Sequence, residues 1–345
     1  MQSERRRRLT PAIADVRRAV RDVLRAEPAP EFVLVGLSGG ADSLALAAAT
    51  SFEARRAGVR AGAVVIDHRL QPGSADVAAA AAEQADRLGL TPVLVLTVDV
   101  GSVGGPEAAA RTARYTAFER ALAETGASAV LLGHTLDDQA ETVLLGLARG
   151  SGPTSLRGMS VRNGPYLRPI LGIRREQTHQ FCIDSGLTPW HDPQNDDAHY
   201  ARVRVRQTVL PLLERELGPG ISEALVRTAD ALREDSAALD ELARGVLLDA
   251  WSGTERGGQI PVEALAAPSA AVRQRVIRFA AETFGALLSR GHTLAVARLV
   301  TDWRGQEALN LPGIRVERQD GVLTFTVLDT HPSKGLPRSY GTSRH

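Results

Sequence analysis

The stretch VLVGLSGGADSLALAAA, residues 33–49, sets the architecture of the first half of the chain. An apolar run ends at Ser38-Gly39-Gly40, and a second apolar run begins after Ser43. A continuous apolar run such as the first is typical of a strand buried on both faces. The run that follows the glycines has the length of a helix. Because glycine permits backbone angles that a Cβ atom would forbid, the turn can point several backbone N–H groups into one concavity. This pattern predicts a strand–loop–helix unit that binds an anion.

Strands and helices alternate outward from this unit. A helix is predicted to begin at Thr10-Pro11, an N-cap followed by a first helical residue. The alternation predicts the α/β class, with a parallel Rossmann-like sheet that carries helices on both faces. Ligands bind such sheets at the carboxyl ends of the strands, where Ser38, His68 and His134 are expected to lie. The predicted strands cover 31–37, 59–67, 92–99, 129–134 and 166–171, and the predicted helices cover 41–56, 74–88, 106–124, 136–149 and 174–185.

The pattern changes after Trp190. A polar loop leads into a predicted helix over 201–216, which the sequence LGPG at 217–220 interrupts. Helical periodicity returns over 221–248 and 262–300, and the last stretch has strand-like alternation around a turn at Gln319-Asp320-Gly321. We therefore predict a first domain over 1–218, a smaller, mainly helical domain over 219–330 and a disordered tail over 331–345.

The composition is that of an ordinary soluble globular protein. The chain has 345 residues, of which 43% are hydrophobic and 23% charged, and no apolar run reaches membrane-spanning length. The N-terminus, MQSERRRRLT, is basic but lacks the apolar segment of a secretory signal, so a cytoplasmic location is expected. The net charge is only +1, so any nucleic-acid surface must be a local patch.

The rare residues exclude several kinds of site. Cys182 is the only cysteine, which excludes an internal disulfide and an iron–sulfur cluster held by several thiolates of the chain. Lys334 is the only lysine and lies in the predicted tail, so the lysine-dependent phosphate loop GxxxxGKS/T is absent. The glycine loop at 38–43 must bind phosphate without a lysine.

The loop combines hydroxyl groups with one acid. Ser38 and Ser43 can donate hydrogen bonds to phosphate oxygens, and the following helix adds partial positive charge at its N-terminus. Asp42 repels a phosphate, so we interpret it as a Mg²⁺ ligand or as a group that positions another residue. The alternative is an ordinary turn between strand and helix with small residues.

The loop and four further motifs carry a family resemblance. SGGADS, residues 38–43, resembles the pyrophosphate loop of the PP-loop ATP pyrophosphatase superfamily, whose members split ATP between the α and β phosphates. Within that superfamily, the other motifs resemble segments of the tRNA(Ile)-lysidine synthetases. The likeness is close over 31–217 and looser beyond, and Val203 stands where the family pattern has asparagine. The four motifs are IDHRLQPGS (66–74), PEAAARTARY (106–115), GHTLDDQAETVLLGLARGSG (133–152) and DPQNDDAHYARVRVRQTVLP (192–211).

The resemblance implies an ATP-dependent ligation. ATP would adenylate the C2 oxygen of the wobble cytidine, position 34, in the isoleucine tRNA with a CAU anticodon. The lysine amine would then attack C2, so that lysidine forms and AMP and pyrophosphate are released. The implied substrates are ATP, with Mg²⁺, L-lysine and tRNA(Ile), and a homodimer is possible. The first domain would bind ATP and the second the tRNA, without the extra C-terminal module of longer members.

The resemblance also implies roles for the loop and the acidic helix. Ser38 to Ser43 (Ser38, Gly39, Gly40, Ala41, Asp42, Ser43) would bind ATP, and His68 would stack near the adenine or be a satisfied residue at the end of its strand. Asp138 and Glu141 would bind and activate lysine, with His134 beside them, and Asp42 and Asp137 are the candidate Mg²⁺ ligands. From the residues alone, acids in a first helical turn are also ordinary capping groups.

The arginines have two interpretations. Arg114 and Arg206 would neutralise phosphate or leaving-group charge, and Arg202 with Tyr200 would meet the RNA. Arg202 and Arg206 are spaced to share a helix face, with Val203 and Val205 packed inward. Two further basic groups could grip tRNA, Arg5–Arg8 and the trio Arg273, Arg275 and Arg278. Solvated or amphipathic helix faces are the alternative for all of them.

Three other functions compete with lysidine formation. A tRNA 2-thiolation enzyme of the same superfamily usually needs several cysteines, and Cys182 lies in a predicted apolar helix. An amidotransferase-type synthetase needs a glutaminase nucleophile that the sequence lacks. An RNA-binding module with a relic nucleotide fold would not need the intact SGGADS and DDQAET motifs.

Overall fold

The computed structural model describes residues 9–328 except 70, 72, 102–104, 151 and 152. The chain divides into two compact units, and the boundary between them in the sequence falls between Leu232 and Arg233. The predicted RNA contact of Arg5–Arg8 and the predicted tail over 331–345 lie outside the described residues, and the predicted domain boundary after residue 218 stays a prediction. In the described part of the chain, no helix is long and apolar enough to cross a bilayer.

The first unit is built on a six-stranded sheet. Its order is β3-β2-β1-β4-β6-β5, where β5 pairs antiparallel with β6 and all other pairs are parallel. The prediction of a parallel α/β sheet is therefore confirmed, and the short antiparallel strand β5 was not anticipated. The strands are β1 (Phe32–Gly36), β2 (Arg60–Asp67), β3 (Val93–Thr97), β4 (Ala129–Leu131), β5 (Arg162–Asn163) and β6 (Tyr166–Leu167).

Helices cover both faces of this sheet. Val33 and Val35 of β1 belong to a core with α1, α2, α3 and α7, and Phe32 and Leu34 belong to a core on the opposite face with α4. Successive residues of a strand point to opposite faces, so β1 is buried on both sides, as its continuous apolar run predicts. The helices are α1 (Pro11–Arg25), α2 (Ala41–Ala57), α3 (Ser74–Arg87), α4 (Pro106–Thr125), α5 (Leu136–Ala148), α6 (Pro153–Leu156) and α7 (Arg175–Ser185).

An ion-paired carboxylate joins the first two helices. Glu53 of α2 is 2% exposed and accepts hydrogen bonds from Arg17 and Arg21 of α1, each at 2.8 Å from Nε. Burial disfavours the charged carboxylate, but the two arginines outweigh it and lower the pKa of Glu53. Thr10 caps α1 by accepting from the N–H of Ile13, as its position before proline predicts.

The helix predicted over 201–216 is interrupted. It consists of α8 (Ala201–Arg204), a π-helical turn (Val205–Val209) and α9 (Leu210–Leu217). Pro211 has no N–H and therefore cannot make the bond that would continue an α-helix through this point. A 3₁₀-helix (Pro193–Asp196) precedes them, where Asp192 accepts from the N–H of Gln194 at 2.9 Å and so shapes the polar loop.

The second unit contains a five-stranded antiparallel sheet of order β7-β8-β11-β10-β9. The predicted C-terminal turn is confirmed, since Asp320 and Gly321 have φ values of 50° and 77° and join paired strands. Strands β7 and β8 were not predicted, because their glycine-rich sequence lacks apolar alternation. The elements are α10 (Ile221–Ala250), which contains the boundary between the units, β7 (Ser252–Thr254), β8 (Gly257–Pro261), α11 (Val262–Ala266), α12 (Ala270–Glu282), α13 (Arg290–Thr301), β9 (Leu309–Leu311), β10 (Ile314–Gln319) and β11 (Val322–Val327).

Two arginines of the trio that is predicted to grip tRNA have partners inside the second unit. Arg275 donates to Asp240 at 2.8 Å, and Arg273 donates to the carbonyls of Leu265 and Ala266 at 3.2 Å each. Arg273 and Arg275 therefore connect α12 to other parts of the second unit, and their contact with tRNA stays a prediction.

Gly62 is the position in β2 where an added methyl group has no room. A Cβ atom there would lie 2.5 Å from the carbonyl oxygen of Pro92 and 2.9 Å from the Leu34 side chain. Gly62→Ala should therefore lower the free energy of unfolding by about 1–3 kcal/mol, measured by urea denaturation with circular dichroism. Gly172→Ala, where nothing lies within 4 Å of the added atom, is the control. Equal midpoints for the two variants would contradict this packing of β2 against β3.

Candidate active site

Four parallel strands end at one edge of the first sheet, and polar residues follow each of them. Ser38 comes after β1, His68 after β2, His134 after β4 and Arg168 after β6. Because β2, β1, β4 and β6 are adjacent in the sheet, these residues line a single edge. This is the edge at which ligands bind to parallel sheets, as the sequence predicts.

The glycine loop leaves the start of α2 open. Gly39 has a φ of 84°, a conformation that favours glycine, and Gly40 is the N-cap of α2 without a side-chain hydrogen bond. The Ser43 hydroxyl donates to the Gly40 carbonyl at 2.9 Å and accepts from the Ser38 N–H at 3.2 Å. The first N–H groups of α2 thus remain available to an anion, in the field of the helix dipole.

A second glycine lets the segment after β4 approach this loop. A Cβ atom on Gly133 would lie 3.1 Å from the backbone nitrogen and Cα of Ser43. The segment that carries His134 is therefore packed directly against the first turn of α2, and this contact places His134 beside the loop.

Asp42, in the first turn of α2, contacts two residues of α7. It accepts a hydrogen bond from the Thr178 hydroxyl of α7, and its Oδ2 lies 3.5 Å from Nε of Arg175. Burial nevertheless raises the pKa of Asp42, because it outweighs the stabilising effects of Thr178 and Arg175. A further cation at Asp42 would be favourable.

Arg175, the first residue of α7, joins three carboxylates. Besides facing Asp42, its Nη2 donates to Asp138 Oδ1 at 2.8 Å and its Nη1 lies 3.3 Å from Glu141 Oε1. Burial opposes the charge, but the carboxylates, Asp138 first, outweigh it and raise the pKa of Arg175. Sequence analysis missed this residue, because its partners are distant in the chain and no local pattern marks it.

Asp138 is both a capping group and an ion-pair partner. Its Oδ2 accepts from the N–H and the hydroxyl of Thr135, each at 2.9 Å, in a capping box at the start of α5. Burial would raise the pKa of Asp138, but Arg175 and the Thr135 N–H outweigh it and lower that pKa. The capping and functional interpretations of Asp138 are thus compatible.

Glu141 is fully buried and surrounded by arginines. Arg206 donates to it through Nε at 2.7 Å and Nη2 at 3.2 Å, and Nε of Arg202 lies 3.4 Å from Oε2. Arg202 and Arg206, which were predicted to share a helix face, therefore both contact Glu141. Val203 and Val205 are buried, as expected. Tyr200 is the N-cap of α8, two residues before Arg202.

We call Asp42, Asp138 and Glu141 with Arg175, Arg202 and Arg206 the acid–arginine network. It contains as many guanidinium groups as carboxylates, so its formal charge balances. Burying a carboxylate without a partner is costly, and this balance explains how three acids can lie together at the sheet edge.

Asp137 lies next to this network, beside the start of α7. Its Oδ2 accepts from the backbone N–H of Arg175 at 2.7 Å, and its Oδ1 lies 3.4 Å from Arg174. It therefore accepts from the first N–H of α7, a capping contact with a helix other than its own, and its role as a metal ligand stays a prediction. Among the described residues, no group of three or more His, Cys, Asp or Glu side chains is arranged to hold a metal ion.

Two histidines on the ligand edge are neutral. Burial lowers the pKa of both His68 and His134 to about 4, with Arg114 adding to the effect at His68 and Asp138 opposing it at His134. Arg114 donates to His68 Nε2 at 3.5 Å, which brings two predicted site residues together. In the described part of the chain, Nδ1 of each histidine is buried without a hydrogen-bond partner.

Comparison with known proteins agrees with these features. A family described as PP-loop domain matches residues 13–213, and one described as TilS substrate binding domain matches residues 260–324. The tRNA(Ile)-lysidine synthase of Leifsonia xyli is 62% identical over 295 residues, covering 85% of this chain and 89% of the relative. That of Thermobifida fusca is 50% identical over 317 residues, covering 91% and 97%.

A solved structure shares the fold. A U34-tRNA thiolase from Methanococcus maripaludis superposes with a TM-score of 0.54 at 20% identity, covering 65% of this chain and 80% of that one. At this identity the likeness shows the fold alone.

The neutral histidines make stability depend on pH. Their folded pKa of about 4 lies below the ordinary 6.5, so the unfolded chain binds more protons between these values. The free energy of unfolding should therefore fall as pH is lowered from 6.5 towards 4. The double variant His68→Gln/His134→Asn should show a shallower fall in urea denaturation at each pH. His199→Gln, at an exposed histidine, is the control, and the same slope in wild type and double variant would contradict the burial of these imidazoles.

Proposed function

The chain belongs to the tRNA(Ile)-lysidine synthase family, and on that basis we propose a role for each of its site residues. It is a ligase that forms a carbon–nitrogen bond, it uses ATP, and it forms lysidine on tRNA(Ile). The observation that carries the proposed roles is the acid–arginine network beside the glycine loop. The homodimer and the cytoplasmic location stay predictions.

The glycine loop is proposed to hold the phosphates of ATP. Its open helix N-terminus offers backbone N–H groups, and the Ser38 and Ser43 hydroxyls lie beside them, 3.1 Å apart. A Cβ atom on Gly40 would meet only Ser38 Oγ, at 3.6 Å, so this glycine is needed for the space in front of the loop rather than for the fold. The neutral imidazole of His68 suits stacking on the adenine.

Asp42 fits a magnesium ion that accompanies the phosphates. Mg²⁺ is usually bound by one or two carboxylates together with substrate phosphates. Burial raises the pKa of Asp42 despite the nearby Arg175, so a cation at this carboxylate would stabilise its charged form. When bound, the ion would neutralise charge on the phosphates. Asp137 stays a predicted ligand whose two oxygens already face Arg174 and Arg175.

Asp138 and Glu141 are proposed to bind the lysine side chain. Because the acid–arginine network is already balanced, the substrate ammonium has to take the place of a guanidinium at these carboxylates. Phosphate groups offer the displaced arginine a new partner, and we assign this role to Arg206, with Arg114 as a second phosphate partner. The ammonium must lose a proton before its nitrogen lone pair can attack C2.

The remaining site residues are proposed to position the RNA. His134 is neutral and adjoins both the loop and Asp138, so it can hydrogen-bond the target cytosine without adding charge. The attack of the amine at C2 forms a carbon–nitrogen bond, and AMP leaves with the former C2 oxygen. Tyr200 and Arg202, at the N-terminus of α8, are proposed to contact the RNA.

The thiolation alternative has little support in this chain. Cys182 is 1% exposed, and burial, with a smaller effect of Asp42, raises the pKa of its thiol to about 12. A thiol that is buried and protonated at neutral pH is neither a nucleophile nor a sulfur carrier. Lysidine formation needs no cysteine.

The function is tested by mass analysis of tRNA nucleosides. Incubation of tRNA(Ile) with ATP, Mg²⁺ and lysine should yield a lysine adduct of cytidine, together with AMP. Gly40→Val and Asp42→Ala should abolish AMP formation, because the first fills the phosphate space and the second removes the carboxylate. Unfolding curves check that both variants fold. Retention of wild-type AMP release in either variant would remove the loop from the mechanism, and sulfur in place of lysine on the nucleoside would favour thiolation.

Lysine binding is tested by neutralising its two acids. Asp138→Asn and Glu141→Gln should raise the KM for lysine more than the KM for ATP, by roughly 5–150-fold, since each removes one charge-assisted contact worth about 1–3 kcal/mol. Steady-state kinetics with each substrate varied separately gives the comparison. Glu124→Gln, which removes an exposed carboxylate that pairs with Arg120 at 2.6 Å, is the control. Equal effects on both KM values would point to metal ligation instead.

A further inference from the structure

We propose that Tyr115, supported by Arg111 and Arg168, binds a backbone phosphate of the substrate RNA. These three residues form what we call the tyrosine–arginine site, which lies on α4 and at the end of β6, apart from the glycine loop. The inference rests on the proposed function, because it assumes that an RNA enters this edge of the sheet.

The hydroxyl of Tyr115 is left with a proton to donate. It accepts one hydrogen bond from Arg111 Nη2 and another from Arg168 Nη2, each at 3.3 Å. A phenol oxygen can accept two hydrogen bonds and donate one, so both acceptor positions are used. In the described part of the chain, no acceptor for its O–H is present. The O–H is therefore free to be donated to a bound oxygen atom.

Packing fixes the direction of this hydroxyl. The Tyr115 ring meets Tyr166 edge-on, with centroids 4.7 Å apart, and Phe118 edge-on at 5.9 Å. Arg111 covers its face, with the guanidinium carbon 4.9 Å from the ring centre. A donor held in this way is pre-organised, so little entropy is lost when a ligand binds.

Arg168 supplies a buried positive charge without a matching negative one. It is 3% exposed, its Nη1 donates to the Ser160 carbonyl at 3.0 Å, and its buried Nε has no hydrogen-bond partner. Among the described side chains, no carboxylate pairs with it. A buried charge of this kind is costly unless an opposite charge approaches, and a bound anion would provide one.

The position of the site favours an RNA phosphate over the phosphates of ATP. In the sheet, β4 lies between β6 and β1, so Arg168 is two strands, or about 10 Å, from the strand that leads into the glycine loop. His134 follows β4 and Arg168 follows β6, and these two strands are paired, with Leu131 opposite Leu167. The tyrosine–arginine site therefore lies beside the residue proposed to meet the target base.

The chemistry also separates this site from the lysine site. The acid–arginine network pairs each guanidinium with carboxylates, as a site for an ammonium group requires, whereas the tyrosine–arginine site offers only donors and positive charge. Arg111 is exposed, so the backbone of a polymer can reach it from solvent. Arginine and tyrosine donors of this kind are common partners of nucleic-acid phosphates.

The first test removes one hydroxyl group. Tyr115→Phe should weaken the binding of tRNA(Ile) about five- to thirtyfold, measured as a Kd by filter binding, and leave the KM values for ATP and lysine unchanged. Tyr166→Phe is the matched control, since it removes a neighbouring buried hydroxyl that has no hydrogen-bond partner in the described part of the chain. Thermal unfolding of both variants checks that the ring cluster is intact.

The second test identifies the anion. Arg111→Gln should reduce the slope of log Kd against log salt by about 0.7–0.9, as expected for one lost phosphate contact. A series of tRNA(Ile) molecules, each with one neutral methylphosphonate in the anticodon loop, should contain one position that weakens wild-type binding and does not weaken Tyr115→Phe further. Arg168→Lys, which keeps the charge, should bind tRNA more tightly than Arg168→Gln.

The outcomes separate this inference from the proposed function. Wild-type protein that forms lysidine while Tyr115→Phe and Arg111→Gln bind tRNA with wild-type affinity and salt slope would overturn the tyrosine–arginine site alone. A raised KM for lysine with unchanged tRNA binding would assign the site to the lysine carboxylate, and a raised KM for ATP would assign it to the nucleotide. Either result would also overturn the inference, whereas absence of lysidine in the wild-type reaction would overturn the proposed function.

Discussion

The contact of Arg175 with Asp42, Asp138 and Glu141 is the constraint on which the site depends. These carboxylates come from the first turn of α2 and the first two turns of α5, and both helices start at the same edge of the sheet, so the fold itself brings like charges together. Such a group can be buried only if cations are placed among its members. The first turn of α7 supplies one cation, and α8 with the π-helical turn supplies Arg202 and Arg206. The charge requirement thus determines where the last helices of the site pack.

The second constraint is space. The edge of the sheet can bind phosphate only if the backbone of the loop is exposed, and glycine provides that exposure in two different ways. Gly39 supplies a left-handed backbone conformation, and Gly133 lets the segment after β4 lie against the first turn of α2. The glycine loop and the segment that carries His134 therefore lie in direct contact, and a side chain at Gly133 would push that segment away from the first turn of α2.

Sequence analysis predicted the parallel sheet, most helices of the first unit and most side chains at its ligand edge, because these follow from local periodicity and from motifs at strand ends. It missed what depends on distant contacts. Arg175 has the same local appearance as Arg174, and only the folded chain shows which of them reaches Glu141. The internal partners of Arg273 and Arg275 could not be predicted either, because these partners lie on other elements. Strands β7 and β8 were missed because they are rich in glycine and lack alternating apolar residues.

The distribution of charge along the edge gives the proposed reaction an order. The acid–arginine network is balanced, so a lysine ammonium entering alone would have to break an arginine–carboxylate pair without compensation. When phosphate groups are present, the released guanidinium has an anion to pair with, and the exchange costs less. Binding of ATP and formation of the adenylate would therefore favour binding of lysine, and the amine would be held at Asp138 and Glu141 when the carbon it attacks has been activated. The same ion pairs that allow three acids to be buried would in this way delay the nucleophile until its electrophile exists.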